Sequence, residues 1–119
     1  MVKAVRGAVQ IESDEKGLVA SAVKKMIEEI VLVNGINIPD IVSIFFTLTS
    51  DIKSVNPAAA LRTGVGFEHT ALFCAQEPDT EGALPMIVRV LVTCNNFKAE
   101  QDVRHVYSGG AEALRPDLN

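Results

Sequence analysis

The sequence predicts an α/β (α+β) fold, a mixed β-sheet covered by helices on one face. Two patterns carry this expectation. Short runs rich in Val, Ile and Phe recur along the chain, and between them lie one long and one short stretch with helical spacing of apolar residues. At 119 residues there is room for a single domain spanning 1–119 that buries roughly two thirds of its unfolded surface.

The first strand is expected over Val2 to Ile11, ending near Glu12. Ser13-Asp14-Glu15 then offers an N-cap and an acidic first turn. Val19, Ala22, Val23, Met26, Ile30 and Val33 recur at steps of three and four, with Lys24, Lys25, Glu28 and Glu29 largely opposite, so Leu18 to Val33 is the long helix. Asn34-Gly35 supplies a residue for the left-handed conformation past its last turn, and Pro39 stops the pattern continuing. Ile41 to Thr49 is β-branched and aromatic and suits a buried central strand. Asn56-Pro57 reads as an N-cap with Pro at the first helical position, opening a short helix Ala58 to Thr63 that stops at Gly64-Val65-Gly66. His69 to Cys74 and Met86 to Cys94 are two further strands, separated by a loop with Pro78, Gly82 and Pro85, and Val103 to Tyr107 is a last short one.

Composition narrows the functional classes. Eleven basic residues against fifteen acidic give a net charge of −4, which argues against a field that gathers nucleic acid or an anionic membrane surface. The first seven residues lack the apolar core of a signal peptide and no apolar run spans a bilayer, so a cytoplasmic location is expected. Cys74 and Cys94 form no CxxC pair and His69 and His105 do not cluster with them, so neither a metal site nor a disulfide framework is indicated. The hydrophobic share of 48% is high for a small domain and points to apolar surface hidden by another subunit.

Candidate functional residues are cations in apolar surroundings. Arg89 lies within Met86-Ile87-Val88-Arg89-Val90-Leu91-Val92, sharing a face with Ile87 and Leu91. It is either an edge-strand Arg whose head snorkels to water or a cation directed into a ligand cleft. Arg6 repeats the pattern in the first strand, and Arg115 stands near the C-terminal end of the sequence, where a solvated tail is the plainer reading. Cys74 and Glu77 fall where a strand gives way to a loop; taken singly they read as a small buried hydrophobe and a solvated carboxylate. With Tyr107, this set of cations and hydrogen-bonding groups suits a small polycarboxylate. No base adjoins Cys74 in sequence, so covalent thiol catalysis has little support.

In order and spacing, Arg6-Gly7-Ala8, Pro57-Ala58 with Arg62, Cys74-Ala75-Gln76-Glu77, Val88-Arg89-Val90 and Arg104-His105-Val106-Tyr107 through Leu114-Arg115-Pro116-Asp117-Leu118 resemble the AroH-type chorismate mutases along nearly the whole chain. The resemblance implies a pseudo-barrel homotrimer with active sites in clefts between subunits, and a cofactor-free, metal-free Claisen rearrangement of chorismate to prephenate in phenylalanine and tyrosine biosynthesis. It implies that Arg89 donates to the ether oxygen and that Glu77 and Cys74 meet the ring hydroxyl and the developing positive ring. It further places Arg6 and Tyr107 on a substrate carboxylate, Arg115 near the cleft mouth, and Phe73, Ala75 and Gln76 among the substrate-binding positions. Asn56 and Ala59 depart from the family pattern, which has an aromatic residue and a Lys around the Pro-Ala step; Phe73 stands where a small polar residue is expected. Two other readings are compatible with the composition: a small trimeric imine or enamine deaminase, by fold analogy, and a non-catalytic trimeric ligand-binding module.

Overall fold

A computed structural model of the chain describes residues 1–63 and 66–115. Five strands, β1 (Lys3–Gln10), β2 (Ile41–Leu48), β3 (Ala71–Gln76), β4 (Ile87–Cys94) and β5 (Val106–Ser108), form one sheet in the order β3-β2-β4-β1-β5. β4 runs antiparallel to both β1 and β2, whereas the outer pairs β2/β3 and β1/β5 are parallel, so the sheet is mixed as expected. Two helices accompany it, α1 (Lys16–Asn34) and α2 (Pro57–Arg62), with 3-10 turns at Ile38–Asp40 and Ala111–Leu114.

Val19, Val23, Met26, Ile27 and Ile30 of α1 are buried and meet Val5 and Val9 of β1, Ile44 and Phe46 of β2, and Val88, Val90 and Val92 of β4 in the main core. Period-2 alternation on each strand aims these residues at one face of the sheet. Gly7 sits among them because α1 crosses close over it: a Cβ there would lie 2.9 Å from both Ile30 Cδ1 and Val90 Cγ1. Among the described residues the opposite face carries a small cluster at one end, Ala8, Ile87, Tyr107 and Ala111 with Leu84 and Leu114 against them. Elsewhere on that face Phe73, Phe45 and Leu91 are 63%, 41% and 42% exposed.

Several local expectations change. α1 begins at Lys16 behind an N-cap Glu15 that makes no side-chain cap bond. Asp14 instead accepts from the Lys53 and Ser54 N–H groups, at 2.9 and 3.0 Å, and so ties the loop after β2 to the start of the helix. At the other end Gly35 takes the left-handed conformation, its N–H and that of Ile36 closing onto Leu32 and Val31 as in a Schellman motif. Asn34 is thereby free for another task. Buried, it donates to Ile30 O and Arg104 O and accepts from the Arg104 N–H, and its own carbonyl accepts from Gln101, so it clamps the segment that leads into β5. Asn56 caps α2 as expected, accepting from Ala58 and Ala59 N–H. β3 runs later than His69 to Cys74, and β5 later than Val103 to Tyr107. Among the described residues no helix is long and apolar enough to cross a membrane. The Gly64-Val65 part of the expected turn and the Pro116-Asp117-Leu118 part of the C-terminal motif lie outside the described residues.

Candidate active site

The sheet register assembles the predicted residues into two rows on the face away from α1. In the first, Ala75 of β3 pairs with Thr47 of β2, Thr47 with Arg89 of β4, Arg89 with Ala8 of β1, and Ala8 with Tyr107 of β5. Directly paired residues share a face, so Arg89 and Tyr107 stand two strands apart, roughly 10 Å, with only the small Ala8 side chain between them. The second row holds Phe73, Phe45, Leu91 and Arg6, the rings of Phe45 and Phe73 lying 5.3 Å apart.

β4 is the middle strand of the five, which removes the edge-strand explanation for Arg89. Its side chain is 44% exposed and its Nε lies 3.1 Å from Glu77 Oε1. Glu77 follows β3 with its main-chain N–H on Leu48 O, and the Thr47 hydroxyl donates to the same Oε1 at 2.5 Å. The carboxylate is therefore oriented by a neutral and a charged donor. Arg89 keeps the four N–H groups of its terminal nitrogens without a hydrogen-bond partner among the described residues, a fork of donors held in place from behind.

A second group forms where β1 meets β5. The Arg6 main-chain N–H donates to His105 Nδ1 at 2.9 Å and the Arg6 guanidinium approaches the same ring. Burial, then the charges of Arg6 and of Arg115, just past the 3-10 turn, press the imidazole pKa below its ordinary value. The C-terminal segment up to Arg115 is thus folded against the sheet and not a solvated tail; the 3-10 turn packs Ala111 against Tyr107.

Cys74 and Gln76 stand apart from this assembly. Their partners on β2 are Phe46 and Leu48, which point toward α1, so Cys74 packs against the main core and burial raises its thiol pKa. Phe73 and Ala75 do share the face of Arg89. The structure therefore brings together Arg6, Phe73, Ala75, Glu77, Arg89, Tyr107 and, at the border, Arg115, and directs Cys74 and Gln76 of the same chain to the other side. Thr47 and His105 join the group although neither was a candidate: Thr47 has no sequence signal beyond its strand parity, and His105 lay inside the quoted Arg104-to-Tyr107 motif.

The cation rows lie on an open sheet face. A groove of about 660 Å3 sits elsewhere, beside β5, lined by Met26, Glu29 and Leu32 of α1 with Val9 and Ser108, and holds none of Arg6, Glu77, Arg89 and Tyr107. An anion seated on the rows gains donors and cations from one side only among the described residues.

A family model described as chorismate mutase type I matches residues 2–118. The chain is 32% identical over 119 residues to chorismate mutase AroH of Bacillus subtilis (strain 168), covering 100% of this chain and 94% of that protein. It is 35% identical over 119 residues to chorismate mutase AroH of Thermus thermophilus, covering 99% of this chain and 97% of that one. Among solved structures, a chorismate mutase from Clostridium thermocellum is similar with a TM-score of 0.88 and 36% identity, over 94% of this chain and 99% of that chain.

Proposed function

The chain belongs to the chorismate mutase type I family, and on that premise we propose that residues 1–119 form one catalytic domain whose Arg89 and Glu77 drive the rearrangement of chorismate to prephenate. The observation that carries the residue assignment is the Arg89 fork, buttressed by Glu77 and facing an open, apolar-flanked row. In the Claisen step the ether carbon–oxygen bond breaks as a carbon–carbon bond forms, with no proton, nucleophile or cofactor consumed. The rate then depends on holding a compact conformer and on stabilising the charge that separates. Arg89 donates to the ether oxygen as negative charge grows there. Glu77 accepts from the ring hydroxyl and faces the ring that turns positive, while Arg6 and Tyr107 hold a carboxylate and Arg115 borders the entrance.

The same reading requires a homotrimer. Phe45, Phe73 and Leu91 are apolar and exposed on the site face, and Cys74 cannot reach the Arg89 of its own chain because it lies across the sheet. A neighbouring copy supplies the missing wall and brings its own Cys74 and α2 to the cleft. We place this assembly in the cytoplasm. Loss of chorismate absorbance, with prephenate confirmed as product, tests the activity; a rate no faster than buffer defeats it. Light scattering tests the trimer, and a fully active monomer overturns the shared cleft.

Two further outcomes are expected. Thr47→Val keeps the shape but removes the donor that fixes Glu77, so kcat should fall about 10-fold at near-normal thermal stability; an unchanged kcat would show that Arg89 alone orients the carboxylate. Ala59 is exposed on α2, the element assigned to the cleft rim. Ala59→Lys should lower KM about 5-fold, as one added surface cation is worth about 1 kcal/mol, and leave kcat nearly unchanged. A KM that does not move would mean that α2 lies away from the substrate.

A further inference from the structure

The β1/β5 ladder ends one residue short of Arg6, with Gly7 opposite Val106. At the next step the Arg6 main-chain N–H has a side chain for its acceptor, His105 Nδ1 at 2.9 Å. A main-chain N–H can only donate, so Nδ1 bears no proton, the ring is neutral and its hydrogen resides on Nε2. Nε2 lies 3.5 Å from Arg6 Nη2. Both of these nitrogens are then donors and cannot bond to each other, so their contact calls for an acceptor group that would satisfy both. Burial, with the positive charges of Arg6 on β1 and Arg115 after the 3-10 turn, keeps it neutral by disfavouring the imidazolium. A neutral ring offers a hydrogen bond without adding a third repelling charge.

We propose that His105 is a substrate-binding residue whose Nε2–H joins the Arg6 guanidinium on one carboxylate of the bound dianion, its tautomer fixed by the Arg6 main chain. The assignment rests on the chorismate mutase reading above. It separates His105 from a purely structural role, in which the ring only replaces a ladder carbonyl and Nε2 is idle.

The two roles use different nitrogens, and two amide side chains tell them apart. His105→Asn places an oxygen near the Nδ1 position and keeps the ladder acceptor but removes the Nε2 donor. His105→Gln reaches the Nε2 position with an N–H and gives up the fixed acceptor. The expected result is a KM for chorismate raised about 10-fold in the Asn variant with kcat altered far less, most of that loss being recovered in the Gln variant. Asn and wild type alike in KM, or Gln as impaired as Asn, overturns the proposal. Nitrogen-15 spectra of the wild-type protein give a reading that does not depend on variants folding. Nε2 should be the protonated nitrogen, with its proton resonance shifting as prephenate saturates the protein; no shift overturns the assignment. A wild-type chain that forms no prephenate defeats the underlying reaction as well, whereas an active wild type with an unaffected Asn variant defeats this inference alone.

Discussion

Arg89→Ala should slow prephenate formation by about 100-fold or more in kcat, the usual consequence of deleting a preorganised donor to an oxygen that gains charge in the transition state. The fold should survive. Arg89 is 44% exposed on a middle strand whose packing residues, Val88 and Val90, point the other way, so its truncation opens no core cavity. Arg89→Lys is the sharper comparison. The guanidinium meets Glu77 through Nε, which leaves its terminal nitrogens for another acceptor, and an ammonium on a flexible stem cannot serve both. The Lys variant should therefore fall nearer to the Ala variant than to wild type. Ultraviolet assay beside circular dichroism checks both, and a Lys variant turning over at a near-normal rate would reduce Arg89 to a source of charge.

Gly7→Val should be the most damaging substitution on the other face. The new Cβ would start 2.9 Å from Ile30 Cδ1 and Val90 Cγ1 and 3.2 Å from the Val106 carbonyl, and Ile30 and Val90 are themselves buried. Overpacking of this kind costs typically about 1–3 kcal/mol. Here relief requires lifting α1 or parting β1 from β5, so the upper end applies and the thermal midpoint should drop by roughly 10 °C, compared at one protein concentration. Gly7→Ala should show a smaller loss. Glycine within a strand already costs conformational entropy, so an Ala variant as stable as wild type would mean that α1 has room to shift.

These two residues also show what sequence reading reaches. Arg89 was visible because a charge in an apolar run breaks alternation, and its face was readable from parity with Ile87 and Leu91. Its position on the middle strand was not, since strand order arises from pairings between distant segments. The Arg6-Gly7-Ala8 triplet was conspicuous, yet its logic needs the register: one residue shares the face of Arg89, the next admits the helix, the third leaves space between Arg89 and Tyr107. Asp14 and Asn34 sat where caps are expected, but the side chains of both also bond remote segments, and local propensity carries no trace of a remote partner. Cys74 was placed with Glu77 by motif. Three steps separate them, an odd number, so strand alternation alone assigns them to opposite faces.

The pairing of β1 has a consequence for how the protein is made. Its neighbours are β4, with Lys3 opposite Cys94, and β5, with Gly7 opposite Val106, so β1 has no sheet partner until β4, much further along the chain, has been translated. Long loops must close before those contacts repay the entropy of closing them. The β2/β3 pair forms from segments made earlier than β4; the part of the sheet that carries Arg6 and Tyr107 is completed only after β5 has been made.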